Sequence, residues 1–243
     1  MSCLVEVDNL SFQYPDGHQA LKDISLHIKH GDRVGLVGPN GAGKTSFFLT
    51  LAGVIDNFTG DLQVAQCDLT TPQGRSAVHR KLGIVFQTSD DQLFNASVLE
   101  DIAFGPLNMD MDQDEAHKRV NQAMESVGLS MDFKSRLPFH LSGGEKRRVA
   151  IAGVLAMNPK VLLLDEPSSD LDPRGRRELI GILNSLDITR IISTHDLEFV
   201  LETCTRVVLF DEGRLIADGP AQEMLSDEAL MLEHGLEVPR SLM

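Results

Sequence analysis

The sequence predicts an α/β fold, and three observations carry that prediction. Residues 38–45 fit the glycine-rich pattern G-x-x-x-x-G-K-[ST], which joins a strand to a helix. An apolar run at 34–37 precedes them, and residues 46–51 follow with helical spacing. Two more apolar runs, 161–164 and 190–194, are typical of strands buried on both faces of a sheet. Strands that alternate with helices favour a sheet with helices packed on it.

The remaining elements follow in order along the chain. Residues up to about 32 are predicted as strands with turns, including a turn at 15–17 and an alternating strand at 24–28. A loop is expected at 53–60, and short strands are expected at 62–64 and 82–86.

The middle of the chain, from about 90 to 154, has a helical pattern that interrupts the sheet as a subdomain. Asp112, or Asp110, caps a helix that stops at Gly128. Further on, residues 207–217 indicate a hairpin with its turn at 211–213. The tail from Pro220 has a short helical pattern.

Composition argues against several classes of protein. The net charge of −14 disfavours a nucleic-acid binder, because phosphate contacts need clustered Lys and Arg. No apolar stretch approaches the roughly 20 residues of a membrane span, and the N-terminus lacks the basic region of a signal peptide. Cys3, Cys67 and Cys204 are widely spaced, which indicates reduced cytoplasmic thiols and no disulfide frame or zinc site.

Residues 38–45 have the chemistry of a phosphate-binding loop. Glycines allow backbone N–H groups to close around phosphate oxygens, and the helix that follows adds its dipole. Lys44 can reach the β- and γ-phosphates of a nucleotide, and Thr45 can ligate Mg²⁺. The nucleotide-binding candidates in the loop are Gly38, Pro39, Asn40, Gly41, Ala42, Gly43, Lys44 and Thr45.

Two carboxylates, Asp165 and Glu166, follow the apolar run at 161–164. Open α/β sheets bind ligands at the carboxyl ends of their strands, so we expect this pair beside the phosphate-binding loop. One carboxylate suits Mg²⁺ coordination, and the next suits a general base for an attacking water. Alone, the pattern fits a solvated strand end, but behind a phosphate-binding loop it indicates a hydrolytic site.

The most discriminating motif is Leu141, Ser142, Gly143, Gly144 and Glu145. One interpretation is a helix start, in which Ser142 caps the helix and Glu145 completes a capping box. The other is an anion site formed by Ser142 and the backbone N–H groups of the same helix start. The neighbouring phosphate-binding motifs favour the anion site.

Together with three further motifs, these segments resemble the ATP-binding-cassette ATPases over nearly the whole chain. Gln87 is similar to the Q-loop glutamine, Asp172 lies in a segment similar to the D-loop, and His195 is similar to the switch histidine. Tyr14, the only tyrosine, lies where the family places an aromatic ring under the adenine. The resemblance implies a P-loop NTPase fold with a RecA-like core, an N-terminal antiparallel β subdomain and an inserted helical signature subdomain.

The resemblance also implies a domain division and an assembly. A single ATP-binding domain is expected over 1–243, with its core at about 1–89 and 155–220, its helical subdomain at about 90–154 and a short tail at 221–243. In the family, two chains form a head-to-tail dimer in which each signature motif, here 141–145, faces the partner's ATP. Asp172 would carry the signal across that dimer.

Roles for the remaining candidates follow from the same resemblance. Lys44 holds the β- and γ-phosphates of ATP, and Ser46 approaches the α-phosphate. The Mg²⁺ ligands implied are Thr45, Gln87 and Asp165. The catalytic residues implied are Glu166, which polarises the water, His195, which contacts the γ-phosphate, and Gln87.

Segments 87–94, 101–106 and 143–153 narrow the resemblance to the cobalt-type (CbiO-like) ATPases of energy-coupling-factor transporters. These importers take up transition metals or vitamins, and their ATPases bind a membrane T-component that carries a substrate-binding S-component. The resemblance implies a peripheral ATPase at the cytoplasmic face of the cell membrane that drives cobalt or nickel uptake. Vitamin uptake stays open, as does the choice between a homodimer and a heterodimer with a paralogue.

Two further questions arise from this interpretation. Asp90 and Asp91 fit either a solvated acidic turn or a site for basic residues on a coupling helix of the T-component. Cassettes that act on nucleic acid or ribosomes are disfavoured by the acidic charge, by the compact interval between 45 and 141, and by the presence of one cassette. Nucleic acid is therefore not expected as a partner.

Overall fold

A computed structural model describes residues 3–243 and confirms the α/β fold; Met1 and Ser2, the start of the predicted N-terminal strand, lie outside the described residues. The strands are β1 (Cys3–Gln13), β2 (Gln19–Lys29), β3 (Arg33–Val37), β4 (Thr59–Val64), β5 (Cys67–Asp68), β6 (Leu82–Val85), β7 (Val161–Asp165), β8 (Thr189–Ser193), β9 (Arg206–Asp211) and β10 (Arg214–Pro220). The helices are α1 (Lys44–Leu51), α2 (Pro72–Val78), α3 (Val98–Asn108), α4 (Gln113–Ser126), α5 (Gly143–Ala156), α6 (Pro173–Ser185), α7 (Leu197–Thr203), α8 (Ala221–Ser226) and α9 (Glu228–Glu233).

Two sheets organise the described part of the chain. The larger one has the order β10-β9-β3-β8-β7-β6, and its neighbours are parallel except for the β9–β10 hairpin, as the sequence predicted. The smaller sheet is antiparallel, with the order β2-β1-β4-β5. Because β3, β6, β7 and β8 are parallel, their carboxyl ends meet at one edge of the larger sheet. The loops that follow these strands are therefore brought together.

The helical block predicted from about 90 to 154 contains α3, α4 and α5. Each begins at a side-chain cap, namely Ser97, Asp112 and Ser142. The structure decides for Asp112 over Asp110, because the Asp112 carboxylate accepts a hydrogen bond from the Glu115 N–H at 2.8 Å. Gly128, two residues beyond α4, has φ +65°, which ends the helix in a left-handed conformation.

Two predicted boundaries are wrong. Gly60 belongs to β4 and not to a loop, since the chain approaches β1 so closely that a Cβ there would lie 2.5 Å from the Asn9 carbonyl oxygen. Strand β6 ends at Val85 and excludes Phe86, because the Gln92 amide bonds the Phe86 N–H and the Ile84 carbonyl, both at 3.0 Å. The sequence analysis also did not predict α2, α6 and α7, although Thr71, Asp172 and Asp196 cap them.

Strand β6 packs tightly on α5. A Cβ added at Gly83 would lie 2.1 Å from Cγ1 of Val154. We therefore expect Gly83→Ala to lower the free energy of unfolding by about 1–3 kcal/mol, the usual effect of overpacking. Urea unfolding would measure it. Combining Gly83→Ala with Val154→Ala should recover part of the loss, since the alanine removes the clashing methyl group. Additive losses in the double variant would contradict the contact.

No helix within residues 3–243 has the length and apolar character that a membrane span requires.

Candidate active site

A cavity of roughly 670 Å³ lies where the carboxyl ends of β3, β6, β7 and β8 meet. It has the volume of a pocket for a small organic ligand. Most of the residues predicted to bind a nucleotide line it. The lining residues are His18, Ala20, Gly38, Pro39, Asn40, Gly41, Ala42, Gly43, Lys44, Thr45, Ser46, Gln87, Asp165, Glu166, Ser193, His195, Gly235 and Leu236.

The phosphate-binding loop depends on glycine where the backbone is most constrained. Gly38 has φ +147°, and a Cβ there would lie 2.0 Å from the carbonyl oxygen of Phe210. Gly43, at φ +100°, begins α1 without a side-chain cap. The first N–H groups of α1 therefore have no capping side chain, and they can bind an anion at the helix start.

Lys44 points its ammonium group back over the loop. Nζ donates to the carbonyl oxygens of Gly38 at 2.6 Å and Pro39 at 2.9 Å. Burial lowers the pKa of Lys44, and the nearby carboxylates of Glu166 and Asp165 oppose that shift. The cation is therefore held inside the cavity wall, where a phosphate group would compete for its protons.

Asp165 and Glu166 lie side by side at the end of β7, but their environments differ. Burial raises the pKa of Asp165, whose side chain lines the cavity. Glu166 has left-handed backbone, φ +44°, and its N–H donates to the Ser193 carbonyl at 2.7 Å. That conformation is costly for a non-glycine residue, and it turns the Glu166 carboxylate toward the end of β8.

The Glu166 carboxylate is held by the segment after β8. It accepts hydrogen bonds from the Thr194 hydroxyl at 2.8 Å and from the His195 N–H at 3.2 Å. The His195 ring lies beside it, with Nδ1 3.0 Å from Oε2, while 74% of that side chain stays exposed. Carboxylate and imidazole are thus positioned to act on a group that enters from solvent.

Gln87 and Thr45 line the same cavity as Asp165. Both side chains are exposed and line the cavity. The hydroxyl, amide and carboxylate oxygens of Thr45, Gln87 and Asp165 form a hard-oxygen donor set of the kind that Mg²⁺ prefers.

Tyr14 lies behind the cavity wall instead of in it. Its hydroxyl is 3.0 Å from the Ser46 hydroxyl, and its ring stacks at 6.3 Å on His18, which lines the cavity. The sequence analysis did not single out His18. An aromatic pair at residues 14 and 18 was the available signal, because the turn at 15–17 brings the two rings together.

The tail supplies the other unexpected part of the wall, Gly235 and Leu236. His234 fixes this segment at the end of β9, with Nδ1 2.8 Å from the Asp211 carboxylate. The Ser241 hydroxyl also donates to Glu198 at 2.6 Å. No local pattern could have revealed these contacts, since each joins positions at least 23 residues apart.

The segment 141–145 lies at a second cavity of roughly 480 Å³, which shares no lining residue with the first. Leu141 is buried, and Ser142, Gly143, Gly144 and Glu145 line the cavity. The capping box is present: Glu145 accepts from the Ser142 N–H at 2.8 Å and the Ser142 hydroxyl at 2.7 Å. These bonds hold the pKa of Glu145 below its usual range.

Asp172 joins the same second cavity from the start of α6, where its carboxylate accepts from the Gly175 N–H at 2.6 Å. The starts of α5 and α6 are close together, since a Cβ at Gly144 would lie 4.0 Å from the Gly175 Cα. The starts of α5 and α6 therefore both face this cavity, which the side chains of Arg148, Asp170, Arg174 and Glu178 also line.

Comparison with known proteins identifies this arrangement. The sequence profile of the family described as ABC transporter matches residues 21–169, more than half of the chain. The chain belongs to the ABC transporter family. It is an ATP-binding cassette, and ATP hydrolysis coupled to transport is the activity of such cassettes.

One relative and two solved structures resemble this ABC ATPase along most of their length. The energy-coupling factor transporter ATP-binding protein EcfA of Methanothermobacter thermautotrophicus is 42% identical, with 98% of this chain and 78% of EcfA covered. The structure of cbiO1 from Clostridium perfringens, part of the ABC transporter complex cbiONQ, has a TM-score of 0.85 at 38% identity, covering 99% and 98% of the two chains.

The second solved structure is the dimeric ATP-binding cassette MJ0796 bound to ADP and Pi in a post-hydrolysis state. It has a TM-score of 0.79 at 26% identity, covering 89% of this chain and 98% of that cassette. These similarities confirm the resemblance to ABC ATPases and to the cobalt-type group.

Proposed function

We propose that this ABC ATPase is the ATP-hydrolysing subunit of an energy-coupling-factor importer, and that it powers uptake of a transition-metal ion, cobalt or nickel, through a membrane T-component. The name of EcfA and the place of cbiO1 in the ABC transporter complex cbiONQ support the transporter part of this assignment. The observation on this chain that supports coupling to a membrane partner is a pair of adjacent residues, Phe86 and Gln87, that line different cavities. An ATPase that drives transport needs a structural connection between its nucleotide site and the surface that binds its membrane partner.

The cavity that Phe86 lines is a groove between the larger sheet and α3, which we call the coupling groove. It measures roughly 640 Å³ and exposes three aromatic side chains: Phe86, Phe94 and Phe104, with 38%, 63% and 48% of their surface accessible. Such an apolar groove suits the apolar face of a short helix. A cytoplasmic helix of the T-component is the occupant that we propose.

The coupling groove also contains two carboxylates, and the charge of its arginine, Arg80, is paired with Asp110 at 2.9 Å. Asp101 is 92% buried there, and its Oδ1 accepts from the N–H groups of Phe94 and Asn95, at 3.1 Å and 3.0 Å. Its Oδ2 has no hydrogen-bond partner within residues 3–243. Asp91 lines the same groove and is exposed. Charge complementarity therefore favours a partner helix that combines apolar and basic side chains.

At the nucleotide, we propose the roles that the resemblance to ABC ATPases implies. Lys44 and the loop N–H groups bind the β- and γ-phosphates of ATP, and Ser46 approaches the α-phosphate. Thr45, Gln87 and Asp165 hold Mg²⁺, which supplies charge neutralisation for the phosphates when bound. Glu166 polarises the attacking water, and the His195 side chain contacts the γ-phosphate. Tyr14 supports the adenine from behind His18.

We further propose a homodimer with two ATP sites. The two cavities share no lining residue, which supports this arrangement, because Ser142 and Asp172 line a cavity other than the one that contains Lys44 and are available to the ATP site of a second copy. The core at about 1–89 and 155–220 and the helical subdomain at about 90–154 would then move against each other. The ATPase would lie at the cytoplasmic face of the membrane as a peripheral subunit, with the tail at 221–243 beside the core.

A tagged capture from detergent-solubilised native membranes, with partners identified by mass, tests the proposal. We expect a multi-span T-component and a small integral S-component. Phe104→Glu in the coupling groove should abolish their recovery, whereas Leu232→Glu, an equally simple change at an exposed leucine of α9, should not.

The same capture decides between the remaining alternatives. A recovered S-component that binds a vitamin would replace the metal assignment while keeping the importer. Recovery of ribosomes or of nucleic-acid machinery would overturn the transport function altogether.

Asp90 and Asp91 differ in a way that sharpens the coupling hypothesis. The Asp90 carboxylate is already paired with Lys146 of α5, at 2.6 Å, whereas Asp91 faces the coupling groove. We expect Asp91→Lys to lower the substrate taken up per ATP hydrolysed, because it repels a basic partner helix. Uptake and hydrolysis would be measured together in vesicles that contain the complex.

The charge swap that joins Asp90→Lys with Lys146→Asp is the matched control, because it keeps the internal ion pair and should keep the coupling ratio. An unchanged ratio in Asp91→Lys would contradict a role in partner binding.

A further inference from the structure

Arg147 has an unusual position for an arginine. It lies on α5, five residues beyond Ser142, with only 4% of its surface accessible. Arginine is almost never fully buried unless its charge is compensated. Burial lowers the pKa of Arg147, and the charge of Asp170, in the loop between β7 and α6, opposes that shift.

The Arg147 guanidinium binds backbone carbonyls beside the nucleotide cavity. Nη1 donates to the Phe86 carbonyl at 2.7 Å, and Nη2 donates to the Gln87 carbonyl. The planar guanidinium holds both acceptors in a fixed relation, which a lysine could not do. Its third nitrogen, Nε, has no hydrogen-bond partner within residues 3–243.

We call residues 86–92 the glutamine segment. Further hydrogen bonds hold the rest of this segment in place. Lys146 binds Asp90, and the Gln92 amide bonds the Phe86 N–H and the Ile84 carbonyl. The backbone at Gln87 is therefore fixed to α5, while the Gln87 side chain stays exposed and lines the nucleotide cavity.

We propose that Arg147 is a positioning residue that fixes how far the Gln87 side chain reaches into the nucleotide cavity of the same chain. The inference rests on the role proposed above for Gln87. The two carbonyl acceptors flank the Cα of Gln87, so the guanidinium fixes the point from which the Gln87 side chain extends.

Steady-state hydrolysis by the full-length protein tests the proposal through Arg147→Met, Arg147→Lys and Gln87→Ala. Arg147→Met should lower kcat by about tenfold or more, because small misplacements at a reacting centre are costly, with KM for ATP changed by less than about threefold. Arg147→Lys should give an intermediate kcat. In the Gln87→Ala background, Arg147→Met should add less than about a twofold further loss, because both changes act through one side chain.

Arg190 provides a matched control, since it is an equally buried arginine that donates to the Thr203 carbonyl at 2.8 Å in a region away from Gln87. Arg190→Met should lower Tm without lowering kcat of the folded protein. Hydrogen exchange with ATP present should rise within 86–92 in Arg147→Met, and across the core in Arg190→Met. If Arg147→Met does not fold, the proposal is tested by Arg147→Lys, in which kcat should fall and hydrogen exchange within 86–92 should rise.

Two results would overturn the inference: a kcat within twofold of wild type in Arg147→Met, or losses that multiply in the double variant. If Gln87→Ala alone keeps full activity, the role proposed for Gln87 fails as well. If Gln87→Ala loses activity and Arg147→Met does not, only the Arg147 inference fails.

Discussion

Glu166→Gln is expected to keep ATP binding and to lose turnover by about 10²–10⁴-fold, the usual contribution of a positioned general base. The carboxylate is only 16% exposed and is held by Thr194 and by the His195 backbone. Glutamine preserves an oxygen that these donors can reach, so the local structure should survive. It removes the negative charge that polarises water.

The consequence for assembly is equally measurable. With ATP bound and not hydrolysed, the Glu166→Gln dimer should stay closed, and size-exclusion chromatography with ATP should show a stable dimer. Glu212→Gln is a suitable control, because Glu212 is also a glutamate in left-handed backbone, φ +45°, and it lies outside the nucleotide cavity. Hydrolysis at the wild-type rate in Glu166→Gln would show that another group activates the water.

Lys44→Met is expected to weaken ATP binding itself. Lys44 is buried, and within residues 3–243 its ammonium group bonds backbone carbonyls and forms no ion pair with a carboxylate, so its charge is available to the phosphates. Each hydrogen bond to a charged group contributes about 1.5–3 kcal/mol, so losing even one should raise Kd for ATP by roughly 10–150-fold. Hydrolysis should fall further, because charge that develops on the γ-phosphate also loses its partner.

Titration with a fluorescent ATP analogue would measure the Kd of Lys44→Met. Lys160→Met removes a charge from an exposed lysine and should leave Kd unchanged. Thermal unfolding without nucleotide separates lost binding from lost structure. Unchanged affinity in Lys44→Met would exclude the proposed phosphate contact.

The parts of the fold that sequence predicted are those whose cause is local. Strand β7 is a run of four buried apolar residues, and the loop from Gly38 to Thr45 carries its conformation in its glycines. Helices α6 and α7 were missed although Asp172 and Asp196 cap them, because both aspartates lie in segments where a chemical role was the stronger interpretation.

The same distinction between local and long-range causes applies to the residues of the candidate site. Residues that follow parallel strands, such as Glu166 and His195, could be placed together because topology brings strand ends to one edge. The bonds from Arg147 to the glutamine segment join positions 60 or more residues apart, and the approach of Leu236 to the cavity depends on how the tail packs. No local pattern in the sequence indicates either contact. The sequence did not indicate that Asp90 pairs with Lys146, because this ion pair depends on how α5 packs.

The tail closes one side of the cavity, so we expect its attachment to the core to depend on whether a nucleotide is bound. Gly235 and Leu236 are anchored through His234 to the same strand end that supports the phosphate-binding loop. Binding equilibria are reciprocal, so whatever factor tail attachment contributes to ATP affinity, ATP contributes to tail attachment. Cleavage by a protease between α9 and Ser241 would therefore report whether the adjoining nucleotide cavity is occupied.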